Sequence, residues 1–162
     1  MQTSQTGINL IKKLEGCKLE AYQCSAGVWT IGYGHTGADV FKGKKITQND
    51  AETLLKTDLK RFETAINNLL ICGSGSSPQA CVEQDGGLLI PVDLNQNQFD
   101  ALVSFIYNIG INAFKNSTML KYLNRGDFYS AAKEFDRWIY AGGKVSEGLK
   151  NRRNAEKTLF LT

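Results

Sequence analysis

Residues 15–35 of the chain read EGCKLEAYQCSAGVWTIGYGH, and the change from helical to strand pattern within this stretch is the main clue to the architecture. Its second half is rich in β-forming side chains punctuated by glycine, which predicts a small antiparallel sheet. Immediately before it, Ile8, Ile11 and Leu14 recur at helical spacing and predict an amphipathic helix that ends at Glu15-Gly16. Glu15 is therefore expected where a helix gives way to a sheet, a junction at which clefts often form.

The segments after the sheet are predicted to be helical. Thr47-Gln-Asn-Asp50 resembles a capping box, and the apolar spacing behind it extends to about Leu70. This predicts a helix of roughly 22 residues, about 33 Å long. From Asn95 the pattern is helical to the end, with predicted N-caps at Ser117, Asp127 and Ser146 and a break at Gly142-Gly143.

These elements indicate an α+β fold. We expect a small three-stranded antiparallel sheet lobe and a mostly helical lobe, joined by the long helix. The predicted boundaries within a single domain of residues 1–162 are about 15–46 for the β-containing lobe, 47–70 for the connecting helix and 71–162 for the helical lobe.

Composition excludes several classes of protein. The chain has 162 residues, 42% of them hydrophobic, with 16 Gly and 2 Pro, which excludes disordered and fibrous proteins. A net charge of +3 is too weak to indicate nucleic acid as a partner, but it is compatible with anionic polymers such as cell wall. No apolar run reaches the roughly 18 residues of a membrane helix, so stable membrane insertion is not expected. The first residues show no features of a signal peptide.

Two interpretations of Glu15 follow from its position alone. A carboxylic acid at the edge of a cleft can protonate a leaving oxygen, and Gln23 and Thr30 would supply polar groups from the adjacent strands. Alternatively, Glu15 is an ordinary surface residue after a helix, as most glutamates are.

The segment also resembles the catalytic motif of the phage-type lysozymes, or endolysins. In that family the motif is Glu, eight residues, Asp or Cys, five residues, Thr and then Ile-Gly-x-Gly-His, which matches Glu15, Cys24, Thr30 and Ile31–His35. Residues 98–110, 123–127 and 148–156 are similar to further family signatures. The match runs from about Ser4 to Phe160, and residues 72–90 look like an insertion.

The resemblance implies a muramidase that cleaves the β-1,4 bond between N-acetylmuramic acid and N-acetylglucosamine in peptidoglycan. It implies an inverting hydrolase with water as nucleophile and no cofactor. Glu15 would be the general acid and Thr30 would hold the water. Cys24 stands where many relatives have Asp, and it would position or deprotonate the water. A thiol is a weaker acceptor than a carboxylate, and its unperturbed pKa is about 8.5, so the alternative is an inert cysteine.

Other residues carry expectations of their own. Tyr33 and Asn108 match positions that line the cleft in the family, although each could equally serve packing. His35, the only histidine, is expected to be structural, and no metal site is predicted. Arg152 and Arg153 either contact the anionic wall or pair with Glu156. The aromatic residues Trp29, Trp138 and Tyr140 are expected in the core.

The four cysteines form two candidate disulfide pairs. Some membrane-tethered relatives have cysteines at the positions of Cys17 and Cys24 and are inactive when the catalytic thiol is locked in a disulfide. A Cys17–Cys24 disulfide would likewise suppress turnover here. Cys72 and Cys81 bracket a Gly/Ser-rich loop that suits a second bridge, and bridges of this kind form in the periplasm.

Peptidoglycan hydrolysis for host cell lysis is the predicted function. Two alternatives are a lytic transglycosylase acting on the same bond and a catalytically inactive wall-binding module. We expect a monomer that accumulates in the host cytoplasm, depends on a holin for release and acts on the wall in the periplasm.

Overall fold

The computed structural model describes residues 1–24, 26–70 and 92–162. Helix α1 (Gln5–Glu15) leads into a three-stranded sheet of β1 (Lys18–Gln23), β2 (Trp29–Gly32) and β3 (His35–Thr36), and helix α2 (Gln48–Leu69) follows. The strands are antiparallel in the order β1-β2-β3, with Thr30 opposite both Tyr22 and Thr36. The predicted three-stranded sheet and long helix are confirmed. The predicted insertion at residues 72–90 lies outside the described residues.

The remaining elements form the helical part of the fold. They are α3 (Gln96–Ile109), α4 (Ile111–Lys115), α5 (Thr118–Asn124), α6 (Phe128–Glu134), a short 3-10 turn (Phe135–Arg137), β4 (Tyr140–Ala141), β5 (Lys144–Val145) and α7 (Glu147–Phe160). The α+β class is confirmed. Within the described residues, no helix combines the length and apolar character that crossing a membrane requires.

The side chains that cap the helices explain where they begin. Thr47 and Asp50 form a reciprocal capping box at the start of α2, as predicted. Ser117, Asp127 and Ser146 accept hydrogen bonds from the first turns of α5, α6 and α7, as predicted.

Helix α3 forms the centre of the core. Every residue from Phe99 to Ile106 is buried, and α1, α2 and α7 all pack against this helix. The ring of Phe105 lies 5.0 Å from that of Phe135 and 5.6 Å from that of Trp138. The prediction that Tyr140 lies in the core is wrong, because 60% of this residue is exposed. Tyr140 belongs instead to a β4–β5 hairpin that projects into solvent.

Candidate active site

Glu15 is the last residue of α1. The chain turns at Gly16, whose φ of 68° and ψ of 170° end the helix and start the path into β1. The Glu15 side chain is 21% exposed, so it is shielded without being closed off from solvent. The helix-to-sheet junction predicted for Glu15 is therefore confirmed.

Arg152, from α7, holds one oxygen of this carboxylate. Its Nη1 donates to Oε1 of Glu15 at 2.7 Å. The sequence suggested only the wall or Glu156 as partners for this arginine, and the contact with Glu15 was missed. The two residues are separated by 137 positions, and no local spacing relates them.

The other oxygen of Glu15 faces the turn between β2 and β3. A Cβ placed on Gly34 would lie 3.9 Å from Oε2 of Glu15 and 3.7 Å from the hydroxyl of Tyr107. Tyr107 donates to the carbonyl of Tyr33 at 2.8 Å. Burial, with the carboxylates of Asp58 and Glu15 adding to it, raises the pKa of Tyr107 above its ordinary value, so this hydroxyl stays neutral.

Cys24 directly follows β1, and Thr30 is the second residue of β2. The Cys24 backbone N–H donates to the carbonyl of Val28 at 3.0 Å and closes the turn. The backbone N–H groups of Ala26 and Val28 lower the pKa of the Cys24 thiol. Thr30 is buried, and its hydroxyl donates to the carbonyl of Val28 at 3.1 Å.

The structure does not support the hypothesis of a disulfide between Cys17 and Cys24, because both residues are free thiols in it. They lie at opposite ends of β1, and seven residues of strand span roughly 20 Å. The Cα atoms of a disulfide lie within about 7 Å of each other. Bridging the pair would therefore require β1 to separate from the sheet. The predicted pair Cys72 and Cys81 lies outside the described residues.

Tyr33 and Asn108 have different surroundings. Tyr33 is 5% exposed, and its hydroxyl accepts from Nε2 of Gln48 at 2.7 Å, which supports the packing alternative for this side chain. Asn108 is exposed, accepts a hydrogen bond from Arg153 and borders an open groove of about 640 Å³ next to Tyr107. Of the two side chains, Asn108 is the one exposed at a groove.

His35 links the sheet to α2. Its Nδ1 lies 2.8 Å from Asp58 and its Nε2 lies 3.3 Å from Asp39. The hydrogen bond from Lys44, followed by that from His35, lowers the pKa of Asp39 to about 2. These contacts fit the structural role predicted for His35. In the part of the chain that the structure describes, no group of three or more potential metal ligands comes together.

Comparisons with known proteins agree with this architecture. The family model described as phage lysozyme matches residues 12–156. The endolysin of Salmonella phage P22 is 41% identical, covering 100% of this chain and 99% of the relative. The endolysin of Bacillus phage B103 is 45% identical over 100% of this chain, which spans 55% of that protein. The muramidase domain of SpmX from Asticaccaulis excentricus superposes with a TM-score of 0.82 at 39% identity, covering 99% of this chain and 98% of that one.

Proposed function

The chain belongs to the phage lysozyme family, and from this premise we propose that it is a muramidase acting on peptidoglycan. The bond cleaved is the β-1,4 link between N-acetylmuramic acid and N-acetylglucosamine. The observation that carries the proposal is the Glu15 carboxyl group at the junction of helix and sheet, with Oε1 bound by Arg152 and Oε2 turned toward Gly34.

Glu15 acts as the general acid in this proposal. Because the guanidinium of Arg152 donates to Oε1, a proton on the carboxyl group resides on Oε2. Oε2 delivers that proton to the glycosidic oxygen as the bond to the anomeric carbon breaks. The leaving sugar thereby departs as a neutral alcohol.

In this proposal Thr30 holds the attacking water and Cys24 deprotonates it. The Thr30 hydroxyl donates its hydrogen bond to the carbonyl of Val28, so its oxygen lone pairs are available to accept a hydrogen bond from a water. The Cys24 thiolate takes a proton as the water oxygen bonds to the anomeric carbon. Inverting enzymes place acid and base about 6.5–9.5 Å apart to leave room for this water. Thr30 is the second residue of β2, two positions or roughly 7 Å along the strand from Gly32, which leads into the turn at Gly34 beside Glu15.

The experiment compares wild type with Glu15→Gln on permeabilised Gram-negative cells, following the loss of turbidity. Glutamine keeps the shape of the side chain and cannot donate a carboxyl proton, so we expect the rate to fall by about 100-fold or more. The matched control is Glu20→Gln, which changes an exposed carboxylate on β1. Equal lysis by wild type and Glu15→Gln would remove Glu15 from the mechanism.

Product analysis separates hydrolysis from transglycosylation. Hydrolysis gives a reducing N-acetylmuramic acid that takes up one oxygen from solvent, whereas a lytic transglycosylase gives a 1,6-anhydro sugar. The water-holding geometry of Thr30 favours hydrolysis. We therefore expect mass spectrometry in ¹⁸O-labelled water to detect labelled reducing ends, and anhydro products would favour the alternative.

The site of action is proposed to be the bacterial cell wall, because that is the location of peptidoglycan. Action as a monomer in the periplasm, and release from the host cytoplasm through a holin, stay predictions from the sequence. Comparing lysis with and without co-expression of a holin tests the dependence on release.

A further inference from the structure

A buried cluster of charges lies directly behind the carboxylate of Glu15. Glu156 on α7 is 0% exposed, and it accepts from the Ser104 hydroxyl at 2.8 Å and from Nε of Arg152 at 3.1 Å. Arg153, also 0% exposed, places Nη1 3.1 Å from Oε2 of Glu156. This last pair is close, but it is not aligned as a hydrogen bond.

Arg152 uses all three of its guanidinium nitrogens. Nε donates to Glu156 at 3.1 Å, Nη1 to Glu15 at 2.7 Å and Nη2 to the carbonyl of Ser104 at 3.2 Å. Because a guanidinium is planar, fixing Nε and Nη2 also fixes the direction in which Nη1 points. The orientation of the group that holds Glu15 is thus set from behind by Glu156 and Ser104.

Stability alone does not account for this cluster. Buried ion pairs are often no more stable than apolar residues of similar volume, since desolvation offsets the Coulomb attraction. Burial lowers the pKa of Arg153 to about 10 and raises the pKa of Glu156, so both groups carry a desolvation cost. Nε and Nη1 of Arg153 also have no hydrogen-bond partner among the described residues.

We propose that Glu156 is a positioning residue for the catalytic acid, which it orients through Arg152 while balancing the charge around it. The inference rests on the muramidase function proposed above. With Glu156 present, the two carboxylates Glu15 and Glu156 balance the two guanidinium groups of Arg152 and Arg153. Without it, Glu15 alone faces both guanidinium groups.

The sign of the effect on pH dependence follows from this count. A general acid works only while protonated, and extra positive charge favours its ionised form. Removing the negative charge of Glu156 therefore moves the alkaline limb of the activity profile to lower pH. Removing the positive charge of Arg153 moves it to higher pH. The titratable group next to Glu15 is Tyr107, which Asp58 and Arg61 also influence, and all three are the same in every variant. The ion pairs of the neighbouring elements are unchanged as well: Lys12 with Glu52, His35 with Asp39, and Asp136 with Lys157.

The experiment measures kcat, KM and the pH profile of wall hydrolysis for Glu156→Gln, Arg153→Gln and the double variant. For Glu156→Gln we expect kcat to fall by about 10-fold or more while KM changes little, because the acid is misplaced. Its alkaline limb should move to lower pH by about one unit. The limb of Arg153→Gln should move to higher pH, and that of the double variant should lie near the wild-type position. The control Glu147→Gln removes an exposed carboxylate from the first turn of α7 and should match wild type.

Conservative replacement separates charge from position. Glu156→Asp keeps the charge but shortens the side chain, so its alkaline limb should stay while kcat falls. A limb that does not move in a folded Glu156→Gln variant, or that moves the same way in Arg153→Gln, overturns the proposal. If Glu156→Gln does not fold, Arg153→Gln should still move the limb to higher pH and the double variant should return it to the wild-type position. A double variant whose limb stays with that of Arg153→Gln then overturns the proposal.

Wild type and Glu15→Gln, assayed alongside, distinguish this inference from the proposed function. If wild type hydrolyses the wall and Glu15→Gln does not, an unmoved Glu156→Gln profile defeats only the positioning role. If wild type is inactive, the function itself has failed.

Discussion

The Cys24 thiol is held in a turn whose backbone N–H groups favour its ionised form. Ala26 contributes most to lowering its pKa, followed by Val28. A lower pKa means that the thiolate is present at lower pH than in a free cysteine. The environment therefore partly compensates for the absence of an aspartate at this position.

Two measurements test this interpretation of Cys24. Alkylation of Cys24 by iodoacetamide, followed by mass spectrometry, should reach its half-maximal rate at a lower pH than alkylation of free cysteine. Cys24→Ser should lose about 100-fold in activity, because a hydroxyl is not ionised at neutral pH, whereas Cys24→Asp should stay active. Full activity in the serine variant would remove Cys24 from the mechanism.

The contacts of Glu15 show where prediction from sequence stops. Glu15, Cys24 and Thr30 are predicted as site residues by their match to a family motif, and that motif lies within one contiguous segment. Arg152 was not assigned to Glu15, because a contact over 137 positions depends on how α1 and α7 both pack on α3. The Arg-Arg-x-x-Glu pattern of residues 152–156 did indicate pairing with Glu156, since residues three and four apart meet on a helix.

Among the elements, the turn between β2 and β3 tests how closely the sheet approaches the acid. Gly34 has a φ of 96°, which side chains rarely adopt, and it faces Glu15 and Tyr107. Gly34→Ala should lower the free energy of unfolding by about 1–3 kcal/mol through backbone strain. It should also lower wall hydrolysis by more than the lost stability explains, because the added methyl group would sit in van der Waals contact with Oε2 of Glu15 and shield that oxygen from the substrate.

Gly126→Ala is the matched control for this turn. Gly126 has a φ of 72°, and a Cβ there would meet nothing within 4 Å. We expect a similar loss of stability, measured by urea denaturation, with activity unchanged at a temperature where both variants are folded. If both variants lose the same activity, the effect of Gly34 is strain alone and not its proximity to the acid.

The starts of the helices could be predicted where a capping side chain marks them. The capping residues Thr47, Ser117, Asp127 and Ser146 mark helix starts because their side chains satisfy free backbone N–H groups. The β4–β5 hairpin was missed, since Gly142-Gly143 was interpreted only as a helix break. Both glycines have positive φ, 56° and 78°, which suits a two-residue hairpin turn. A two-residue strand is too short to show alternation, so Tyr140 was wrongly expected in the core.

For the whole molecule, α3 is the shared platform on which the site is assembled. The structure buries this helix from Phe99 to Ile106. Which helices cover it could not be predicted, because apolar faces do not specify their partners. Two buried polar residues mark those partners: Ser104 binds Glu156 of α7, and Asp100 binds the start of α1.

Asp100 therefore positions the helix that carries Glu15. Asp100 is 0% exposed, and its Oδ1 accepts from the backbone of Ser4 at 2.9 Å and from Nε2 of Gln96 at 2.9 Å. The Ser4 hydroxyl donates to Oδ2. A Cβ on Gly7 would lie 2.7 Å from Cγ of Asp100, so α1 lies unusually close to α3.

Asp100→Ala should affect stability and catalysis together. Losing a buried charged acceptor should lower the free energy of unfolding by about 3 kcal/mol, measured in urea. Because α1 is no longer anchored, Glu15 moves relative to Arg152, and kcat for wall hydrolysis should fall by about 10-fold or more.

Glu63→Ala is the control, since this half-buried carboxylate accepts two hydrogen bonds from Thr3 but lies on α2. It should lose about 1 kcal/mol and keep its activity. Wild-type kcat in a folded Asp100→Ala variant would mean that the sheet and Arg152 place Glu15 without the docking of α1 on α3.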